Sequence, residues 1–436
     1  MIPKYERPVA PVAAQYPGGK ATNASAAAVM SWTNFVADER LKQLIGLALT
    51  NNCDFQVALL NVEQSRAQYR ITRSASFPTV NASGSYQKSY ANGATSDQWN
   101  ASLGSTAYEV DLFGRVRSLN RQALEKYFAT VEGKRGAQVA LVAEVATEYF
   151  TLRQTEEQIA LTKQTLQSVQ DSSALNQAAF DAGASSELDL RTAEGQVQTA
   201  KINLLTYERD REQAENYLVL LIGQPMPTNL PASRPFNDTN LLADIPTGLP
   251  SELLQRRPDI LEAEHTLKAA NANVGAARAA FFPTITLTAS AGSTSEAFEK
   301  LFSSGTGVWS FSPQVTLPIF TAGQNLASLN ATKVSKRIEV QNYLKAIETA
   351  FREVADALAA NRSYTKQIEE ELLLVTAQQR RFELANLRYR QGEDSYLNVL
   401  SSQQDLYNAQ QDLLQDRFRQ LTSQISLYKA LGGGWN

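Results

Sequence analysis

Two side chains, Cys53 and His265, hold most of the catalytic and metal-binding potential of this sequence, because they are its only cysteine and only histidine. A single cysteine excludes a disulfide within one chain. A zinc site made from cysteine and histidine is nearly excluded for the same reason. Any Ser-His-Asp arrangement would have to use His265, which lies in the helical run Glu262-Ala263-Glu264-His265. We therefore interpret His265 as a helix-surface or core residue and Cys53 as incidental.

The carboxylates also lack a catalytic setting. Pairs of them occur, but none stands beside a basic or metal-ligand cluster that would make it an acid, a base or a ligand. The formal net charge of -3 leaves no basic surface for nucleic acid. We predict that the protein is not an enzyme, holds no metal and binds no nucleic acid.

The composition is that of a folded protein, with 19% charged residues. The sequence has no stretch of about 18 apolar residues, so it predicts no transmembrane helix. No signal peptide is visible. The chain opens Met1-Ile2-Pro3-Lys4-Tyr5. From this opening we expect either a mature chain with a new start or a cytosolic protein.

Proline placement indicates two long helical regions. All 15 prolines lie within residues 1–17, at Pro78 or within residues 225–318, and proline-free stretches permit long helices. The two halves also repeat, because a shift of 209 residues relates three glycine pairs: Gly114 and Gly323, Gly183 and Gly392, and Gly223 and Gly432. We predict helices at about 114–182 and 323–391, each about 100 Å long.

A seven-residue apolar period marks coiled-coil seams in both halves. It is clearest near the end of the chain, at Leu400, Tyr407, Leu414, Leu421 and Tyr428. A glycine ends each long helix before a second helix, at about 186–222 or 395–431, which predicts two antiparallel hairpins. We divide the chain into an extended arm, a first repeat, a proline-rich linker and a second repeat, at residues 1–30, 31–222, 223–250 and 251–436.

Four segments alternate between polar and apolar residues, which predicts strands. They lie at about 79–90, 99–112, 284–292 and 308–319. One phase slip near Ala107-Tyr108 predicts a bulge. Each segment has about 10 residues, the length of a tilted strand that crosses a bilayer.

The polar face of these strands consists of Ser, Thr, Asn and Gln, with almost no Lys or Glu. Such a face suits the inner wall of a water-filled membrane barrel. On this pattern alone, a soluble sheet packed on helices is an equally good interpretation. Five aromatic residues could form a girdle near one membrane interface: Tyr86, Tyr90, Trp99, Trp309 and Phe311. Four strands cannot close a barrel, and lipid tolerates no open edge. Membrane-spanning strands would therefore be shared among several chains.

Four motifs resemble those of the TolC family, the outer-membrane factors of tripartite efflux pumps: Val110-Asp111-Leu112-Phe113-Gly114-Arg115, Leu254-Gln255-Arg256-Arg257-Pro258-Asp259-Ile260, Ala276-Ala277-Arg278-Ala279-Ala280-Phe281-Phe282-Pro283 and Leu317-Pro318-Ile319-Phe320-Thr321. The resemblance covers essentially the whole chain. It is strongest to OprM-like efflux lipoproteins of resistance-nodulation-division (RND) pumps. It implies a passive, gated exit duct for drugs and other small toxic molecules. The duct would lie in the outer membrane of a Gram-negative bacterium, with most of the chain in the periplasm.

The resemblance also implies an assembly. The fold is mainly α with membrane β, and each chain of a homotrimer contributes four strands to a shared 12-stranded β-barrel. Four long helices per chain form a 12-helix periplasmic α-barrel, and the arm, linker and C-terminal end form an equatorial domain. The implied partners are a periplasmic adaptor (membrane fusion protein), an inner-membrane RND pump and outer-membrane lipid. No cofactor is implied. Family members commonly begin with an acylated cysteine, but Met1 stands here, so we expect a chain without signal and lipid.

The family places its gate where Gly183 and Gly392 reverse the chain. Asp189 and Tyr389 match family residues that take part in closure and cation binding. Asn398 and Ser401 stand where aspartates are common in the second repeat, which weakens the expectation of an acidic ring there. The remaining candidates are Glu187, Glu393 and Asp394, with Arg191, Arg388 and Arg390 as their partners, and Leu397 as an apolar constriction.

Two alternatives share parts of this pattern. A type I protein-secretion duct has the same architecture, and the motifs favour drug efflux without naming the cargo. A periplasmic coiled-coil adaptor or structural protein would keep the heptads. It would not need four charge-poor, alternating strands in duplicate.

Overall fold

The computed structural model describes residues 1–13, 16, 30–238, 241–243 and 256–433. Its helices are α1 (Trp32–Phe35), α2 (Glu39–Asn51), α3 (Cys53–Ser74), α4 (Arg115–Asp181), α5 (Glu187–Ile222), α6 (Pro258–Ala279), α7 (Gln324–Arg390) and α8 (Tyr396–Ala430). Its strands are β1 (Asn81–Ala91), β2 (Ala94–Glu109), β3 (Thr284–Ser295) and β4 (Gly307–Thr316), with a 3-10 helix at Phe298–Lys300. Among the helices described, none has the length and apolar character needed to cross a membrane.

The two longest helices repeat with the period found in the sequence. Both α4 and α7 have 67 residues, and adding 209 to the ends of α4 gives the ends of α7. Shorter partners of similar length, α5 and α8, follow them. All four helices lie within one residue of their predicted bounds.

Glycine in the left-handed region ends both long helices, as predicted. Gly183 has φ +71° and Gly392 has φ +77°, a conformation that glycine adopts without steric cost. The next residue then closes the helix, because the N–H of Ala184 donates to the Ala179 carbonyl at 2.8 Å. The N–H of Glu393 donates in the same way to the carbonyl of Arg388, at 3.0 Å. Each long helix therefore turns directly into its partner.

The four strands form one antiparallel sheet in the order β1-β2-β3-β4. The predicted bulge is confirmed, because the register of β2 against β3 shifts between Ser105 and Tyr108. The predicted start of β2 near residue 99 is wrong, and the strand begins at Ala94. The cause is a two-residue turn at Asn92-Gly93 with φ of 52° and 82°, a geometry that continues the twist of a hairpin. The other strand ends differ from prediction by three residues or fewer.

The chain divides into two compact units. Unit 1 contains Met1–Pro11, Leu60–Gly133 and Asp259–Ala346, and unit 2 contains Val12–Leu59, Lys134–Pro258 and Ile347–Asn436. Each unit takes segments from both predicted repeats, and the division of the chain by repeats stays a prediction. Parts of the predicted arm and linker, at 14–15, 17–29, 239–240 and 244–250, lie outside the described residues.

The core of unit 2 surrounds α2, whose Leu41, Leu44 and Ile45 are fully buried. Asp38, only 1% exposed, caps this helix by accepting hydrogen bonds from the N–H groups of Arg40 and Leu41. The same carboxylate accepts the Tyr149 hydroxyl at 2.8 Å and the Arg234 N–H at 3.3 Å. One buried acid thus joins α2, α4 and the segment after α5.

The N-terminal residues of unit 1 bind a buried carboxylate on α6. Glu264, whose side chain is 3% exposed, lies 2.6 Å from the Arg7 guanidinium and 3.1 Å from the Lys268 ammonium. It also accepts the Tyr5 hydroxyl at 3.2 Å. Burial alone would raise the pKa of Glu264, but hydrogen bonds from Arg7 and Lys268 outweigh burial and hold the pKa below its ordinary value.

We expect Glu264→Gln to lower the thermal midpoint of unfolding at pH 7, because it removes charge-assisted hydrogen bonds worth about 2 kcal/mol. Since the folded pKa of Glu264 is depressed, its stabilisation is complete above the unfolded pKa, about 4.3, and is lost as pH falls through the folded pKa. Thermal denaturation followed by circular dichroism at pH 7 and at acid pH measures this difference. Glu63→Gln, at an exposed position of α3, is the control. An equal shift at every pH would contradict the charge-based account.

Candidate gate and candidate membrane surface

Strand pairing gives the sheet two faces of different chemistry, because directly paired residues project from the same face. The register joins Tyr86 to Trp99, Leu103 to Ala291 and Ala291 to Trp309. One face, called here the apolar face, therefore carries Ala82, Tyr86, Tyr90, Trp99, Ala101, Leu103, Ile285, Leu287, Ala289, Ala291, Trp309, Phe311 and Val315. All five aromatic residues proposed for the girdle lie on it.

The opposite face, called here the polar face, is an uncharged hydrogen-bonding surface over most of its area. It carries Ser83, Ser85, Gln87, Gln98, Asn100, Ser102, Thr286, Thr288, Ser290, Ser310, Ser312 and Gln314. Hydroxyl groups bridge neighbouring strands, at 2.9 Å between Ser83 and Ser102 and at 2.8 Å between Ser290 and Ser310. A wall of this kind offers water both donors and acceptors without fixing a charge.

The aromatic residues of the apolar face do not all lie on one rung. Tyr86 and Trp99 form a cross-strand pair with ring centroids 4.4 Å apart, and Phe298 meets Trp99 edge-on at 5.0 Å. Trp99 pairs with Ser295, whereas Trp309 pairs with Ala291, four residues away on β3. A girdle at a single membrane depth stays a prediction.

At the reversal between α4 and α5, Asp189 and Ser186 form reciprocal capping hydrogen bonds at the start of α5. The Ser186 hydroxyl donates to the Asp189 carboxylate at 2.7 Å, and the Asp189 N–H donates back to that hydroxyl at 3.2 Å. Arg191, one of the predicted partners, pairs with Glu187 at 3.3 Å and with Glu194 at 3.0 Å. The charged residues predicted at this reversal therefore pair with other residues at the start of α5.

At the second turn, Asp394 is the residue around which the predicted polar groups gather. It accepts the Asn398 side-chain amide at 2.5 Å and the Ser395 N–H at 2.8 Å, and it lies 3.7 Å from the Arg388 guanidinium. The hydrogen bond from Asn398, followed by that from Ser395, holds the pKa of Asp394 below its ordinary value. Asn398 thus has a partner here although it cannot supply a carboxylate.

Two tyrosines connect the turns. The rings of Tyr389 and Tyr396 lie 5.3 Å apart, and the Tyr389 hydroxyl donates to the side-chain oxygen of Asn176 at 3.4 Å. Burial, and then the charge of Asp189, raises the pKa of Tyr389. Burial raises the pKa of Tyr396 to about 12. Both hydroxyls stay protonated at neutral pH, and the role of Asp189 and Tyr389 in closing the duct stays a prediction.

Exposed leucines occupy the first turn of both returning helices. Leu397, predicted as a constriction, is 64% exposed, and Leu188, its equivalent by the 209-residue shift, is 76% exposed. Leu188, Asn176 and Tyr396 were missed by the sequence analysis. Of these three, only Leu188 could have been found from the sequence, because the 209-residue repeat relates it to Leu397. Of the other predicted residues, Glu393 lies at the second turn, Ser401 lies on α8, and Arg390 lines a groove together with Tyr389 and Tyr396.

His265 and Cys53 lie on helices other than those that form the two turns. A ring nitrogen of His265, on α6, is 2.6 Å from a carboxylate oxygen of Glu125 on α4, and Cys53 is the exposed first residue of α3. Within the described ranges, no group of three or more His, Cys, Asp or Glu side chains could hold a metal ion.

Comparison with known proteins gives consistent matches over nearly the whole chain. The family described as outer membrane efflux protein matches residues 44–224 and 249–433. A probable efflux pump outer membrane protein of Pseudomonas putida, TtgC, is 48% identical over 100% of this chain and 92% of its own length. The solvent efflux pump outer membrane protein SrpC of Pseudomonas putida is 46% identical over 100% of this chain and 95% of its own length.

A solved structure agrees in fold. The open state of the Neisseria gonorrhoeae MtrE outer membrane channel superposes with a TM-score of 0.92 at 40% identity. The match covers 100% of this chain and 98% of that chain.

Proposed function

Since this chain belongs to the outer membrane efflux protein family, we propose that it is the gated exit duct of a tripartite efflux system for small toxic molecules. It is an outer-membrane efflux protein with a mainly helical, two-repeat fold of the TolC type. Its relatives are efflux proteins, which favours efflux over protein secretion or a coiled-coil adaptor. Drugs and organic solvents are the proposed cargo, because SrpC is a solvent efflux protein.

The observation that carries this proposal is the two-faced sheet. Its apolar face suits contact with lipid, and its hydroxyl-rich face suits a water-filled lumen. A duct of this kind needs no cofactor and catalyses no reaction, because the wall only excludes lipid and admits solutes. Selection of cargo belongs to the pump that loads the duct.

The sheet also requires several copies of the chain. β1 pairs only with β2, and β4 pairs only with β3, so each chain presents two edges with unpaired backbone groups. Such edges are not tolerated in lipid. Joining β4 of one copy to β1 of the next satisfies both edges, and a homotrimer closes a barrel of 12 strands, as the resemblance implies.

Exposed apolar residues on the helices support the same assembly. They include Leu60 and Ile71 on α3, Ile202 and Leu205 on α5, and Leu326, Val334 and Ile338 on α7, each more than half exposed in the single chain. Apolar residues that recur along a helix face are usually covered in the functional assembly. We propose that neighbouring copies cover them as a periplasmic helical barrel, with the arm, linker and C-terminal end around its middle.

The gate is proposed at the turns of α4–α5 and α7–α8. Residues 181–194 contain four carboxylates and one arginine, whereas the equivalent residues of the second repeat, 390–403, contain two carboxylates and one arginine. In a trimer the first turn would form an acidic ring, which favours cations. Asp189 and Tyr389 would hold the closed state, with Leu188 and Leu397 as apolar constrictions.

The partners are proposed from the same arrangement. A periplasmic adaptor would bind beside the turns, where α4, α7 and α8 line a groove of about 430 Å³ that includes Tyr389 and Tyr396. Its docking would open the gate and connect the duct to an inner-membrane RND pump. The resemblance implies an acyl group on a native N-terminal cysteine, which is absent from this sequence; such a group would add a second membrane contact.

A pair of cysteine substitutions on β3 tests the assignment of the two faces. β3 is paired on both sides, so its labelling does not depend on how copies join. In a Cys53→Ser background reconstituted into vesicles, we expect a charged, membrane-impermeant thiol reagent to label Ser290→Cys. It should leave Ala289→Cys, the adjacent residue of the apolar face, largely unmodified. Equal labelling of both positions would overturn the proposed lipid-facing and water-facing assignment.

A further inference from the structure

The connection between β3 and β4 folds back against the apolar face. The Ser293 hydroxyl projects from that face and donates to the Leu301 carbonyl, while the Thr306 hydroxyl donates to the same carbonyl at 3.0 Å. Leu301 is 5% exposed. This connection also brings Phe298 onto Trp99. It therefore forms part of the surface that the proposed function places in lipid.

Beside this connection the sheet has a groove of about 590 Å³. Six of the residues that line it occupy register positions on the apolar face, and five of the six are no larger than serine: Ala82, Gly84, Ala101, Ala291 and Ser293, with Leu103. Phe302, 81% exposed, forms one wall. Two larger side chains occupy neighbouring register positions of the same face: Trp99 is two residues before Ala101 on β2, and Trp309 pairs with Ala291.

We propose that this groove holds one acyl chain of an outer-membrane lipid. The inference rests on the proposed function, because it requires the apolar face to meet lipid. Seven of its ten lining residues are apolar or glycine and the other three are serines, and its volume lies within the range of ordinary small-ligand sites. One ordered lipid would lie beside each chain, and its acyl chain would fill the groove next to Phe302.

The surroundings favour an acyl chain over other occupants. The floor belongs largely to β2 and β3, whose backbone groups are already paired on both sides, so an added peptide strand would find few hydrogen bonds. Charged residues at this end of the sheet are Lys88 and Lys300 against Asp97, Glu296 and Glu299. This mixture offers no cationic site for an anionic headgroup. The groove would therefore recognise the acyl chain of the lipid and not its headgroup.

Native mass spectrometry of the detergent-purified assembly, titrated with dimyristoyl phosphatidylethanolamine, tests the proposal. We expect one retained lipid per chain in the unmodified protein. Ala101→Leu, which fills the groove, should reduce lipid occupancy at least tenfold. Ala289→Leu, the same change on the same face outside the groove, should retain the lipid. Phe302→Ser, which removes the wall without touching a strand, should also weaken retention.

Several outcomes would overturn the proposal: no retained lipid in the unmodified protein, retention of detergent alone, or equal retention by Ala101→Leu and Ala289→Leu. Single-channel recording of the same samples separates this failure from failure of the proposed function. Unmodified protein that conducts normally but retains no lipid counts against the groove only. Absence of current from the unmodified protein counts against the duct.

Discussion

The double variant Asp189→Asn, Tyr389→Phe is expected to open the duct and to raise the single-channel current in planar bilayers well above that of the unmodified protein. Tyr389→Phe removes the hydroxyl that donates to Asn176, and Asp189→Asn removes the charge that acts on Tyr389. A neutral hydrogen bond is worth about 1 kcal/mol. Three copies of that hydrogen bond amount to about 3 kcal/mol, more than half of the roughly 5.5 kcal/mol that moves a two-state equilibrium from 1:99 to 99:1.

Asparagine is the informative replacement at position 189, because Asp189 also accepts the Ser186 hydroxyl. Alanine would keep the N–H that the Ser186 cap accepts but would remove the acceptor of the Ser186 hydroxyl, and would therefore mix loss of this hydrogen bond with loss of charge. The same pair of changes on α3, Asp54→Asn and Tyr69→Phe, is the matched control. If both double variants conduct as the unmodified protein does, the gate lies elsewhere than at these turns.

The second large effect is expected from Asp38→Ala, at the centre of unit 2. The variant removes the cap of α2 and leaves the buried Tyr149 hydroxyl and the Arg234 N–H without their acceptor. Loss of a cap costs about 1 kcal/mol, and each buried group left unpaired costs about 1–3 kcal/mol. We therefore expect a loss of about 3–7 kcal/mol, seen as a lower midpoint in thermal or urea denaturation.

The control for this prediction is Asp54→Ala, which removes an exposed carboxylate from the first turn of the next helix. Asp38→Asn should fall between the two, because its side-chain oxygen can still accept hydrogen bonds. A midpoint for Asp38→Ala equal to that of Asp54→Ala would show that the buried carboxylate does not hold α2, α4 and the following segment together.

The long helices could be predicted closely because their signals are local and redundant. Proline is absent, an apolar period of seven recurs, and a glycine stands where each helix must stop, all of them twice at a spacing of 209 residues. The two faces of the sheet follow from alternation in the same way. The start of β2 could have been found from Asn92-Gly93, since that dipeptide is a strong hairpin signal.

The contacts that specify the candidate gate could be predicted only in part. The family resemblance supplied Asp189 and Tyr389, and a serine three residues before Asp189 is a readable capping signal. Tyr396 and Asn176 meet Tyr389 because three helices pack side by side, and helix rotation is not encoded in residue spacing. The burial of Glu264 could not be predicted for the same reason, because its partner Arg7 lies 257 residues away in the chain.

The central claim is that copies of this chain form a passive, water-filled duct across the outer membrane, closed at the helical turns. Single-channel recording of the unmodified protein in a planar bilayer tests it most directly. We predict stepwise, cation-selective currents that need no energy source and that are small, because the resting turns are closed. Complete absence of current from protein that is folded and inserted in the bilayer would contradict the claim.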